Sequence, residues 1–177
     1  MATPPTFNVG AVLTAAQMNA VGLWLVKTQT VGSAVTSVTV NDCFNADFDN
    51  YRVVISGVDF SVGQISWQLR VGSATANYYG SSYYDSYTGL TTGTLRSNAL
   101  SSLYFGVSDV DNTSATIDVC RPYVSTITTF QGNFYGGGFS GWASGSHAAV
   151  ASHTSFTLIT PSGTMTGGTI KIYGYRN

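Results

Sequence analysis

Not one glutamate occurs in the chain, and its only lysines are Lys27 and Lys171. Charged side chains make up 8% of the residues, against roughly 25% in ordinary globular proteins. The long charged residues that sustain water-facing helices are therefore nearly missing, and exposed helices have little to be built from. Ser and Thr instead supply about a quarter of the sequence, beside 20 Gly and 11 Tyr. That is the vocabulary of solvent-facing strands and turns. At 177 residues the chain is long enough for one domain with a real core and too short for two independent ones.

The period of the apolar residues agrees. In residues 64–71, Ile65, Trp67, Leu69 and Val71 point one way while Gln64, Ser66, Gln68 and Arg70 point the other, as in a strand on a sheet with one wet face. Further strands are expected near 31–40, 51–58, 101–107, 115–121, 126–135, 154–160 and 168–175. Turn signals separate them at Asn41-Asp42, 109–112, 136–138 and 161–163. Eight or so short strands with turns about every ten residues predict an all-β fold, an antiparallel sandwich or jelly roll. No fixed-period repeat, Gly-X-Y run or heptad pattern is present.

Ahead of the strands the pattern differs. Residues 1–12 carry Pro4-Pro5, Phe7 and Val9 without periodicity, which predicts an extended arm that docks on another surface. Thr14 and Gln17 fit a capping box, with Leu13 and Met18 placed as a hydrophobic staple. A helix is thus expected from Ala15, with Met18, Val21 and Leu25 on one face, fading by Lys27 because Gly22 and Val26 weaken it. This divides the chain into an anchoring segment, 1–28, and a sandwich, 29–177.

A net charge of −1 and a pI near 6.0 leave no basic stripe to neutralise phosphates, so nucleic acid is not an expected partner. The longest apolar run, 20–26, falls far short of the roughly 20 residues that cross a bilayer, and no membrane insertion is expected. Residues 1–6 carry no basic residue ahead of an apolar stretch, so no secretory leader is read and release into the cytoplasm is expected. Cys43 and Cys120 lack Cys-x-x-Cys or His companions at metal-ligand spacing. They read as small buried residues, with a bridge between them as the alternative.

Four segments in order, FNVGAVLTAAQMN (7–19), FNADFDNYRVVI (44–55), WQLRVG (67–72) followed by Tyr78-Tyr79, and GTIKIYGYR (168–176), resemble those of short tailed-phage virion proteins. That family supplies tail-fibre, tail-tip and capsid-decoration components. The resemblance runs over nearly the whole length. It implies an N-terminal piece that attaches to other virion proteins and a β-sandwich that faces outward on the virion, commonly as a trimer. Assembly in the host cytoplasm goes with it. The chain departs from long fibre members in lacking shaft repeats, which favours a short tip protein or a capsid-bound cement protein over a free-standing fibre.

Few residues could carry catalysis, and neither an enzyme nor a cofactor is expected. Glycan hydrolysis needs two carboxylates about 5 to 10 Å apart, and the sequence pairs are Asp47/Asp49 and Asp109/Asp111. Both read as turns using Asx chemistry, with calcium as the alternative. His147 and His153 have neither a second His nor a carboxylate at helical or strand spacing, and each is expected at the surface or in a hydrogen bond. No Gly-x-Ser-x-Gly elbow occurs; Gly141-Trp-Ala-Ser-Gly145 does not match it.

Tyr78, Tyr79, Tyr83, Tyr84 and Tyr87, interleaved with Gly, Ser and Asp85, form the one constellation with a binding character. Tyr supplies large contact area at low entropic cost, and Gly and Ser adapt around it. Cross-strand pairing or burial between subunits is the structural reading; recognition of a host surface glycan or protein is the functional one. Trp142, among the glycines of 136–145, is a second candidate, read either as a contact residue or as a buried anchor under a flexible loop. The expected function is a non-catalytic virion protein used in host attachment. Capsid cement is the alternative, and a secreted carbohydrate-binding module or glycan hydrolase comes third.

Overall fold

A computed structural model describes Gly10, Val12 and residues 22–87, 89 and 91–175. Thirteen strands follow one another: β1 (Trp24–Thr30), β2 (Ser37–Val40), β3 (Asn50–Phe60), β4 (Ile65–Val71), β5 (Tyr78–Ser86), β6 (Thr91–Leu100), β7 (Leu103–Ser108), β8 (Thr113–Cys120), β9 (Thr126–Gly136), β10 (Phe139–Ala151), β11 (Phe156–Ile159), β12 (Met165–Thr166) and β13 (Thr169–Tyr175). Nine form a large sheet in the order β1-β13-β3-β8-β9-β10-β5-β6, with β12 also on β3. Four form a second sheet, β2-β11-β4-β7. Every strand pairing is antiparallel, and the two sheets pack as an all-β sandwich.

The small sheet sends Val38, Val40, Ile65, Trp67, Leu69, Val71, Phe105, Phe156 and Leu158 inward, all buried. Against them the large sheet places Tyr51, Val53, Ile55, Ile117, Val119, Phe130, Phe134, Ile170 and Ile172. The inward half of the alternation expected in 64–71 holds in β4; on the other face Ser66 and Arg70 are half-buried, while Gln68 is buried and its Oε1 accepts from Ser102 Oγ. In β3 the alternation 51, 53, 55 resumes as 58, 60, because a bulge between Ile55 and Val58 inserts one position. Gly57 takes the left-handed φ of 69° there, a conformation that favours glycine. Tyr51 fixes the entry to this strand: its hydroxyl accepts from Asn45 N at 2.7 Å and donates to Asn45 O at 2.9 Å.

One edge of the small sheet, β7, is closed by side chains of the large one. Ser82 Oγ on β5 donates to Phe105 O at 2.9 Å, and Tyr104 N donates to Ser97 Oγ on β6 at 2.9 Å. Backbone groups that an edge strand would leave open are thereby paired across the sandwich. Nearby, Gly80 and Gly145 lie directly opposite each other on β5 and β10. A Cβ on either would stand 2.7 Å from Leu103 Cδ1, so the glycines form the flat seat on which that buried side chain rests.

Three expectations are corrected. Residues 24–27, expected as the end of a helix, belong to β1, which pairs with β13. Trp24, Leu25 and Val26 are aromatic or branched side chains near glycine, and a sheet edge suits them better than a solvent helix. Leu25 therefore sits on a strand, exposed, opposite Tyr173. The remaining anchor residues, Phe7, Val9, Leu13, Met18 and Val21, and the capping box at 14–17 lie outside the described residues. Segments 78–86, 91–100 and 139–151, given no strand in advance, form β5, β6 and β10. Trp142 accordingly stands on a strand, not under a loop, and is 52% exposed.

Candidate functional site

Strand alternation divides the tyrosine cluster. Tyr78 and Tyr84 share the inward face of β5 and Tyr79 and Tyr83 the outward one, with Tyr87 exposed in the turn just past the strand's end. Tyr78 is fully buried, its ring against Phe130 and His147 and its hydroxyl accepting from Val71 N at 2.9 Å. Burial pushes its phenol up to about 12. Tyr84 is half-buried against Phe139, with ring centroids 5.9 Å apart. These two are structural.

The outward set meets residues from other strands. Trp142 on β10 lies directly opposite Tyr83 on β5, and Tyr83 lies opposite Thr94 on β6. The two rings stack with centroids 4.5 Å apart and planes at 27°, and Tyr83 is 45% exposed. One row along, Ser140 stands opposite Asp85, and Asp85 opposite Thr92. Together Tyr83, Asp85, Thr92, Thr94, Ser140 and Trp142 line an open groove of about 690 Å³, within the range of roughly 300 to 1,000 Å³ for small-molecule pockets.

A second aromatic pair borders this face. Tyr87 and Tyr135 stack with centroids 6.4 Å apart and planes at 11°, and their hydroxyls are 3.0 Å apart. That hydrogen bond, before any effect of burial, raises the Tyr87 phenol above its ordinary value. Tyr135 on β9 faces Ser140 across the ladder, so the two aromatic pairs lie on one continuous outer surface. Comparison with protein-family models, curated proteins and solved structures finds no match to this chain.

Of the two expectations for the histidines, the hydrogen bond holds and the surface position does not. His147 and His153 are both buried, and His153 Nε2 lies 3.1 Å from His147 Nδ1, a hydrogen bond whose direction depends on the tautomer. Their pairing escapes sequence spacing because β10 changes register after His147, and the chain then turns back so that His153 N donates to Pro122 O at 2.8 Å. Burial lowers both pKa values; His153 falls to about 4, with the neighbouring His147 as a lesser cause. A depression of about 630 Å³ opens beside them.

The paired aspartates sit in turns. Asp47 N donates to Asn45 Oδ1 at 2.9 Å, and Asp109 Oδ1 accepts from Val110 N at 2.9 Å. Cys43 is buried and Cys120 partly so, both as free thiols; burial pushes the Cys43 thiol up to about 12. Among the described residues no group of three or more His, Cys, Asp or Glu could hold a metal ion.

Asp85 was visible in the tyrosine segment, but Thr92, Thr94, Ser140 and Tyr135 were not singled out by sequence. Their only signal was parity along each strand, which becomes legible once the pairing of β5 with β6, β9 and β10 is known.

Proposed function

We propose that this chain is a non-catalytic virion protein of a tailed phage whose sandwich faces outward and attaches the particle to its host through the Tyr83–Trp142 face. The observation that carries this reading is the stacking of exposed Tyr83 and Trp142 on the outer sheet face, among Asp85, Thr92, Thr94 and Ser140 and beside the exposed Tyr87–Tyr135 pair. Cross-strand pairing accounts for the stack itself, while contiguous apolar surface left facing water marks interaction sites. The order of the four family-like segments supports the virion assignment. In this reading the segment ahead of Trp24, with Phe7, Val9, Leu13, Met18 and Val21, anchors the protein to other virion components, and the domain is a jelly-roll-like member of a homotrimer.

Capsid decoration is the second reading. It is favoured by the large-sheet edge, where Leu23 and Leu25 are exposed beside Tyr173, a surface fit to bridge coat subunits. Gold-labelled antibody against the chain separates the two on intact virions. Label at the tail end is the expected result; label over the head assigns the protein to the capsid.

A further inference from the structure

We propose that the groove at Tyr83 and Trp142 binds a neutral glycan, with a pyranose ring against the aromatic pair and sugar hydroxyls bonded to Asp85 and its hydroxyl neighbours. This deepens the attachment reading and rests on it for biological context, although the chemistry is local to the groove.

The lining divides into two kinds of surface. The stacked Tyr83–Trp142 pair gives a rigid apolar platform held by cross-strand register, with rings 4.5 Å apart. Around it, the projecting side chains are Asp85, Thr92, Thr94 and Ser140. An apolar ligand would strip water from four polar side chains without replacing their hydrogen bonds, which is unfavourable. A pyranose matches both surfaces. Its axial C–H groups form an apolar face suited to an aromatic ring, and its equatorial hydroxyls donate to a carboxylate while exchanging hydrogen bonds with Thr and Ser.

Charge selects among glycans. The one ionisable side chain of the lining besides Tyr83 and Tyr84 is Asp85, and no Lys or Arg belongs to it. Arg96, opposite Ser81, stands in the row on the other side of the Tyr83–Thr94 pair, two rows from Asp85, so an anion at the Asp85 end has no cation beside it. A sialic acid, uronate or sulfate would bring its anion to a carboxylate without a cation in the lining, and like charges at short range repel. Asp85 is instead free to accept two vicinal hydroxyls of an uncharged sugar.

The test uses the full chain on an immobilised panel of neutral oligosaccharides, of glucose, galactose, mannose and N-acetylhexosamine types, beside sialylated and sulfated counterparts. Binding to at least one neutral class is expected, weakened about 10-fold or more in Trp142→Ala and in Asp85→Asn, and unchanged in Ile127→Ala, an exposed control on β9. Melting curves show that the variants remain folded. Silence across the neutral panel at millimolar concentration, binding to the acidic glycans alone, or undiminished binding by a folded Trp142→Ala protein would each overturn the assignment. Adsorption of phage carrying Trp142→Ala separates the two layers of the argument. Lost adsorption with a silent neutral panel rejects the glycan and keeps the attachment face; intact adsorption with sugar binding abolished keeps the glycan site and rejects its role in attachment.

Discussion

Tyr83 and Trp142 lie directly opposite each other on neighbouring strands and stack with ring centroids 4.5 Å apart, both substantially in water. A pair of this kind contributes about 0.5 to 1.5 kcal/mol beyond area burial. Trp142→Ala is therefore expected to lower stability by no more than about 1.5 kcal/mol. Tyr78→Ala, at a fully buried ring on the same β5–β10 pair, is expected to lose about 3 to 5 kcal/mol. Urea unfolding of the two variants measures the contrast, and equal losses would mean that the outer pair is packed as core.

Glycine at positions 80, 106 and 145 is required by shape. A Cβ at Gly106 would stand 2.5 Å from the indole of Trp67, which is itself fully buried. Gly106→Ala is expected to destabilise by about 1 to 3 kcal/mol through overpacking. Gly145→Ala should behave alike because its Cβ meets Leu103 and the Tyr79 carbonyl, the latter at 2.5 Å. Thermal melts check both. An unchanged melting temperature would show that the sheets separate more easily than this packing implies.

Closure of the β7 edge by hydroxyls makes a further prediction. Ser82→Ala leaves the Phe105 carbonyl without the Ser82 bond at a buried position, a loss of about 1 to 3 kcal/mol. Amide exchange in β7 is expected to quicken, with β1 and β13 at the far side of the large sheet little affected.

The histidine pair predicts a pH dependence. Burial holds both rings neutral in the folded state, with His153 at about 4, against about 6.5 in the unfolded chain. Between those values the unfolded state binds more protons, so stability is full above about pH 6.5 and is lost as pH falls through that window. Melting temperatures of the wild type and His153→Gln, followed from pH 7.5 to 4, should converge as the pH drops, because the variant lacks this titration. A parallel pair of curves would contradict it.

How much of this was legible in the sequence depended on side-chain contrast. Ile65, Trp67, Leu69 and Val71 alternate with polar residues, and β4 could be read at once. In β5 and β10 the inward positions include Gly80, Ser82, Gly141 and Gly145, so the inside of the strand looks as polar as the outside. The glycines read as loop punctuation because their reasons, the Leu103 side chain at Gly80 and Gly145 and the Phe134 ring at Gly141, are tertiary. Trp142 stands out as a residue, but its place on a strand is hidden for the same cause. The meeting of Trp142 with Tyr83, and of His147 with His153, depends on register between distant segments, which no local period encodes. At the chain's start, the capping-box pattern favoured continuing a helix through Leu25, yet pairing with β13 governs residues 24–30.

The proposed attachment role of this face is tested most directly by competition. Purified chain is added to host cells before phage, and adsorption is counted with the wild type and with Trp142→Ala. The wild-type chain is expected to occupy the receptor and reduce adsorption in a dose-dependent manner, while the folded Trp142→Ala protein leaves adsorption unchanged. Equal blocking by both proteins, or no blocking by either at saturating concentration, would contradict attachment through the Tyr83–Trp142 face.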